Sequence, residues 1–316
     1  MTTPKLSVEA LSVSLGEADP VRIIDGISFQ LEAGRTLGVV GESGCGKSMT
    51  ALALMGLVPE PNRIAGRIRL GAVDLQALDE DHRRQLRGKR LAMIFQEPMT
   101  ALNPVVTVGA QIAEMLEVHE RASASEARRR AVALLGQVGI AAAAERAGSY
   151  PHQLSGGMRQ RVMIAIAIAC RPEILIADEP TTALDVSVQA QILDLLLELQ
   201  AQEGMAMLFI SHNLGVVSEV ADEIMVMYAG RVAEQGPAAE VLATPTHPYT
   251  RGLIATMPDI AHRKRLLPVI SGTVPEPGRR GAGCSFAPRC SMADAICAIA
   301  PPPLRGQSHR VACVHA

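Results

Sequence analysis

Hydrophobic and polar positions change rhythm along the chain, and the changes predict its elements. Residues 35–40, 91–95, 174–177 and 205–210 are compact apolar runs. Runs this short fit strands buried on both faces of a parallel sheet. The first leads into a Gly-rich turn, after which residues 47–57 read as a helix. Residues 107–147 are mainly helical in pattern, with Ala, Leu and Arg prevalent, and predict a helical insertion in the α/β alternation. Residues 162–170 are apolar throughout, yet far short of the roughly 18 to 20 residues of a bilayer span, and predict a buried helix. Strand-like and helix-like segments alternate from residue 6 to about residue 235, the pattern of an α/β domain. After Gly236 the rhythm fades, and Pro245, Pro248, Pro258, Pro268, Pro275, Pro277 and Pro288 cut the chain into short pieces. The predicted boundary divides residues 1–236 from a C-terminal extension, 237–316. No internal repeat is visible.

Composition narrows the class. The 316 residues allow one large domain and a smaller one, and 48% hydrophobic residues supply an ample core. A net charge of -2 argues against nucleic acid as the main partner. Arg83-Arg84, Arg128-Arg129-Arg130 and Arg263-Lys264-Arg265 read as solvated faces. The polar N-terminal stretch is not a signal segment. The chain is expected in the cytosol, with any membrane role exercised through partners. Cys45 and Cys170 are isolated, whereas Cys284, Cys290, Cys297 and Cys313 crowd the last 33 residues. In a cytosolic chain such crowding suggests metal binding more than disulfides.

One stretch carries explicit chemistry. Gly41-Glu42-Ser43-Gly44-Cys45-Gly46-Lys47-Ser48 fits G-x-x-x-x-G-K-[ST]. Its glycines let backbone N–H groups turn inward around phosphate oxygens. Lys47 supplies a positive charge to the β- and γ-phosphates, and the Ser48 hydroxyl can hold Mg²⁺. The helix beginning near Lys47 points its positive end at the same phosphates.

A second stretch, residues 174–179, is an apolar strand ending in Asp178 and Glu179. Asp178 is placed to hold Mg²⁺. Glu179 reaches one residue further and can polarise an attacking water as general base. Alone, such a pair is an ordinary solvated loop. Gln96 ends the strand at 91–95 and is a candidate contact for Mg²⁺ and the water. His212 follows the strand at 205–210 and is a candidate hydrogen-bond donor to the γ-phosphate. Each of these is a loop-capping residue on its own and gains weight only as part of the set. Between them stands Leu154-Ser155-Gly156-Gly157-Met158. A Ser hydroxyl, Gly amides and a helix N-terminus from about Gly157 make an anion site.

Together these residues resemble the nucleotide-binding subunit of an ATP-binding cassette (ABC) transporter, over roughly residues 6–235. The resemblance implies a P-loop NTPase core of the α/β class. An antiparallel β subdomain and a helical subdomain (about 100–170) would accompany it, with a small irregular Cys-rich C-terminal extension. It assigns ATP binding to residues 41–48 and Asp178, and makes Gln96 the Q-loop glutamine. It makes 154–158 the signature, Ala183-Leu184-Asp185 the D-loop and His212 the switch. It also implies two cassettes head to tail, with Ser155, Gly156 and Gly157 of one chain closing on the γ-phosphate held by the other. The chain departs from the family at the adenine, where an aromatic residue upstream of the P-loop is usual. Residues 11–22 have none. Leu15 occupies the position, so stacking is replaced by apolar contact or by Arg22 over the ring.

Finer text resembles the oligopeptide/dipeptide importer group. It comprises Met158-Arg159-Gln160-Arg161, Asn213-Leu214-Gly215-Val216-Val217, His247-Pro248-Tyr249-Thr250 and the Cys-rich tail. The Gly-Gly-Met form resembles the first of two paired ATPases. This implies a second, similar ATPase, two transmembrane permease subunits and an extracytoplasmic peptide-binding protein as partners. It places the chain on the cytoplasmic face of the inner membrane, peripheral and without nucleic acid.

The tail spacing is C-x5-C, C-x6-C and C-x15-C. Four thiolates can bind tetrahedral Zn²⁺ or a [4Fe–4S] cluster. The tight pairs common at Zn sites are missing, the wide intervals favour the cluster, and the resemblance points the same way. Zn²⁺ and unligated or disulfide-bonded cysteines remain the alternatives. The expected function is an ATPase that energises import of oligopeptides or dipeptides. The alternatives are a nickel or other small-solute importer of the same group and, more distantly, a soluble ABC ATPase acting on nucleic acid. That last class needs a long coiled-coil insertion or two cassettes, but only 57 residues separate Gln96 from Leu154.

Overall fold

The computed structural model describes residues 4–182, 184–257 and 268–316. Ala183 of the D-loop and the basic run Arg263-Lys264-Arg265 lie outside the described residues. In chain order the elements begin β1 (Leu6–Leu15), β2 (Val21–Leu31), β3 (Thr36–Val40), α1 (Lys47–Met55), β4 (Asn62–Leu70) and β5 (Val73–Asp74). Next come α2 (Glu80–Leu86), β6 (Leu91–Ile94), α3 (Pro98–Ala101), α4 (Val108–Glu120), α5 (Ala124–Gln137), α6 (Ala143–Arg146) and α7 (Gly156–Ile168). They continue as β7 (Ile174–Asp178), α8 (Val186–Glu203), β8 (Ala206–Ser211), α9 (Leu214–Val220), β9 (Glu223–Tyr228) and β10 (Arg231–Pro237). α10 (Ala238–Ala243), α11 (Pro248–Ala255), β11 (Arg305–Gly306) and β12 (Arg310–Val311) complete them.

The four apolar runs form strands for the expected reason. β3, β6, β7 and β8 are buried at every residue, as strands covered on both faces must be. Phe95 falls outside β6 and is 38% exposed. α1 stops at Met55 because Gly56 adopts a left-handed conformation and returns its N–H to Ala53 and Leu52. The apolar stretch at 162–170 is helical through Ile168 and belongs to α7. Among the described residues no helix is long and apolar enough to cross a membrane.

The chain divides into two compact units. One comprises Glu32–Arg35 and Ala77–Leu208 with Lys5; the other comprises Leu6–Leu31, Thr36–Gln76 and Phe209–Ala316. The chain passes from one to the other within β8. In the first unit β6 and β7 run parallel, with Leu91 opposite Ile174 and Ile94 opposite Ala177. Its helical insertion packs α4, α5 and α7 together. α4 packs on α5, and Val108, Ile112 and Leu116 on α4 and Ala127 and Ala131 on α5 are all buried.

The second unit holds an antiparallel sheet in the order β2-β1-β4-β5. Leu6, Val8, Leu11 and Val13 of β1 and Ile24, Ile27, Phe29 and Leu31 of β2 supply its buried face, the period-two pattern of a half-buried sheet. It also holds strands in the order β11-β12-β10-β9-β3, in which β3 and β9 are parallel. Gly236 lies inside β10, and the residues that follow it cluster with this unit.

Candidate functional site

The Gly-rich loop leaves the buried end of β3 and enters α1. Its sequence leaves little choice of conformation. A Cβ at Gly41 would lie 2.3 Å from the Met227 carbonyl and 2.7 Å from Cys45 Sγ. Gly46, the N-cap of α1, has φ of 105°, a conformation open to glycine at no steric cost. No side chain caps α1 and its first turn holds no acid, so no negative side chain offsets the positive end of its dipole. Lys47 is buried at 5% exposure. Its ammonium donates to the carbonyls of Gly41 at 2.7 Å and Glu42 at 3.3 Å. A buried cation held by neutral carbonyls is a strong attractor for phosphate. Cys45 is buried beside it, and burial raises its thiol pKa, which disfavours the reactive thiolate.

The acidic strand end is also defined. Asp178 closes β7 and is 4% exposed. Glu179 is 9% exposed and has φ of 48°, uncommon for a residue with a side chain. Its Oε2 accepts from Gln96 Nε2 at 3.2 Å and from Thr182 Oγ1 at 2.8 Å. The structure therefore brings two residues of the predicted set, Gln96 and Glu179, into direct contact. Thr182 was missed by the sequence reading. Its only signal was its place in the turn that follows the acids.

Ser155 is the N-cap of α7 and its hydroxyl accepts from the Met158 N–H at 3.3 Å. The helix begins at Gly156, and Ser155 and Gly156 are exposed. A Cβ at Gly157 would come within 2.9 Å of Val188 Cγ1. Asp185 is the N-cap of α8, accepting from the Ser187 hydroxyl at 2.6 Å and the Val188 N–H at 2.9 Å. These two donors hold its carboxyl below the usual aspartate range. Val188 thus lies between the turn at Gly157 and the cap of α8. His212 is exposed just past β8. Its turn is fixed by Asn213, whose N–H donates to Ser211 Oγ and whose side chain caps α9. Leu15 is half-buried at the end of β1. Arg22 is paired with Asp25 at 3.0 Å.

In the extension, all four clustered cysteines line one small cavity with His247 and His315. None is in a disulfide. Backbone N–H groups of Met292 and His315 point at the sulfurs of Cys290 and Cys313, both at 3.4 Å. The Cys284 N–H donates to the Cys297 carbonyl at 2.8 Å. N–H groups aimed at sulfurs around a shared space suit thiolates that bind one metal group. Asp294, Cys297 and His315 also offer ligand atoms within 4.8 Å of one another.

The chain is similar to known proteins over most of its length. A family model described as ABC transporter matches residues 24–182, and one described as Oligopeptide/dipeptide transporter, C-terminal region, matches residues 233–297. The dipeptide transport ATP-binding protein DppD of Escherichia coli (strain K12) is 51% identical over 301 residues, spanning 95% of this chain and 92% of that protein. A putative peptide import ATP-binding protein of Brucella abortus (strain 2308) is 50% identical over 305 residues, spanning 96% and 92%. Among solved structures, a dimeric ATP-binding cassette in a post-hydrolysis state with ADP and Pi superposes with a TM-score of 0.66 at 25% identity. It covers 74% of this chain and 98% of its own.

Proposed function

Because the chain belongs to the ABC transporter family, as an ATP-binding subunit of the oligopeptide/dipeptide group, we propose that it powers peptide uptake by hydrolysing Mg-ATP. The observation that carries the catalytic reading is Glu179. It sits one residue beyond a buried aspartate, on an unusual backbone angle, with Gln96 and Thr182 fixing its carboxylate. Residues 41–48 bind the phosphates, with Lys47 against the β- and γ-phosphates and the first turn of α1 supplying N–H groups. Ser48, Asp178 and Gln96 would hold Mg²⁺, which would supply positive charge to the phosphate oxygens. Glu179 accepts a proton from the water that attacks the γ-phosphorus, and ADP leaves as the bond to its β-phosphate oxygen breaks. His212 donates to the γ-phosphate. Asp185 belongs to the loop through which the two cassettes sense each other.

Ser155, Gly156 and Gly157 act in trans, completing the partner's nucleotide site. The exposed Ser155 at a helix N-terminus supports this, since such a terminus offers N–H groups to a phosphate from outside the chain. The partner is a second, similar ATPase, and the pair drives two permease subunits fed by an extracytoplasmic peptide-binding protein. The chain sits at the cytoplasmic face of the membrane, held there by the permeases. Co-expression with permease, second-ATPase and binding-protein genes from the same locus tests the substrate. ATP turnover in proteoliposomes should rise with dipeptide and binding protein. Stimulation by nickel instead of dipeptide would replace the peptide reading.

In the extension, we infer that Cys284, Cys290, Cys297 and Cys313 hold a [4Fe–4S] cluster. The cavity that all four line, with no disulfide joining any of them, supports it. A bound cluster supplies a covalent cross-link among four short, Pro-interrupted segments. Anaerobically purified protein should contain about four iron atoms per chain and absorb broadly near about 400 nm. Cys297→Ala should lose both. Stoichiometric zinc without iron would reject the cluster.

A further inference from the structure

The P-loop residue Glu42 is gripped on both its main chain and its side chain by the C-terminal extension. Its carboxylate takes a two-pronged ion pair from Arg289, Nη1 to Oε2 at 2.6 Å and Nη2 to Oε1 at 3.0 Å. Its N–H donates to the Tyr249 hydroxyl at 2.9 Å. Its carbonyl accepts from Lys47 Nζ at 3.3 Å and from the Cys45 N–H at 3.2 Å. Glu42 is thus the joint between the phosphate-binding lysine and the tail.

The tail side of that joint is rigid. Arg289 is only 5% exposed in its side chain. Its remaining donors go to the Ser271 carbonyl at 2.8 Å, the Ile270 carbonyl at 3.1 Å and the Tyr228 hydroxyl at 3.3 Å. All five N–H directions of the guanidinium are therefore used. Tyr249 is fully buried and packs edge-on to Tyr228 and against Phe286. His247 caps the start of α11 by accepting the Tyr249 N–H at 3.0 Å. Its own N–H donates to buried Glu234 at 3.0 Å. The His-Pro-Tyr-Thr run is a device for aiming the Tyr249 hydroxyl at Glu42.

We propose that Tyr249 and Arg289 are positioning residues for the nucleotide site, holding Glu42 and with it the P-loop in phosphate-binding geometry. The inference rests on the reading of residues 41–48 as the ATP site. It predicts that the extension, over two hundred residues away in sequence, sets ATP affinity rather than the rate of chemistry.

The test uses the full chain, with metal content and the nucleotide-free unfolding midpoint measured alongside. Mg-ATP affinity is read by titration and the KM and kcat of ATP turnover by steady-state assay. Arg289→Ala should weaken Mg-ATP binding by about tenfold, the effect of losing a charge-assisted contact. KM should rise and kcat at saturation stay within about twofold. Arg289→Lys should recover part of the loss. The double variant Glu42→Gln with Arg289→Ala should be no weaker than the weaker single variant. Tyr249→Phe, which keeps the ring and removes the hydroxyl, should weaken binding by about threefold and serves if Arg289→Ala does not fold. Affinity unchanged in a folded Arg289→Ala chain, or in Tyr249→Phe, overturns the proposal, as do losses that multiply in the double variant. A wild-type chain that binds no Mg-ATP would instead sink the reading of the nucleotide site.

Discussion

Glu179→Gln should bind Mg-ATP as tightly as the wild type and hydrolyse it about a hundredfold to ten-thousandfold more slowly, the span expected for removing a general base. The substitution is nearly isosteric. An amide oxygen can still accept from Thr182 Oγ1, now at 2.8 Å from the carboxylate, so the turn after β7 should keep its shape. What disappears is the capacity to take a proton from water. ATP should then persist in the site and hold the paired cassettes closed. Light scattering of the variant with its partner ATPase should show an ATP-dependent complex that outlasts that of the wild type. Turnover at the wild-type rate would remove Glu179 from its role and leave its backbone angle unexplained.

Lys47→Ala should act at the other end of the reaction. The variant loses a buried ammonium aimed into the loop and with it a charge-assisted contact to phosphate, worth about 2 to 3 kcal/mol. Mg-ATP binding should weaken by about thirtyfold to about 160-fold, and peptide-stimulated turnover should fall steeply at ordinary ATP concentrations. The carbonyls of Gly41 and Glu42, which now accept from Lys47, lose a donor, so some loss of stability accompanies the change. The two variants differ in kind: Glu179→Gln binds without turnover, whereas Lys47→Ala fails at binding. Equal nucleotide affinity in Lys47→Ala and the wild type would contradict the loop's assigned chemistry.

The parts of this site that were legible in the sequence are those whose chemistry is local. The loop at 41–48 is readable because its glycines, lysine and serine must occupy fixed offsets for one turn to wrap a phosphate. β7 is readable because four consecutive apolar residues, Ile174 to Ala177, run without a break up to the acidic Asp178. Ser155 is readable as a helix start because a serine before two glycines and a long apolar helix is a natural cap. Other features depend on side chains that meet from distant parts of the chain. The hold of Thr182 on Glu179 needed the left-handed backbone at Glu179, which nothing in the local text demands. Arg22, the candidate to cover the adenine, pairs with Asp25 three residues on, a contact that spacing alone does not reveal. The Glu42–Arg289 pair joins positions that share no pattern, and the His-Pro-Tyr-Thr run served only as a family mark until its tyrosine was seen against the P-loop.

The last residues of the chain have one more consequence. Strand β12 pairs with β10, setting Glu234 opposite Val311 and Gln235 opposite Arg310, and the Ala312 N–H donates to the Ala233 carbonyl at 2.8 Å. Without this cover the free side of β10 would present an unpaired row of N–H and C=O groups, a template for strands of other molecules. The closing segment is therefore a guard against self-association. A protein shortened before Arg305 would tend to clump through bared backbone even where its nucleotide loop is intact.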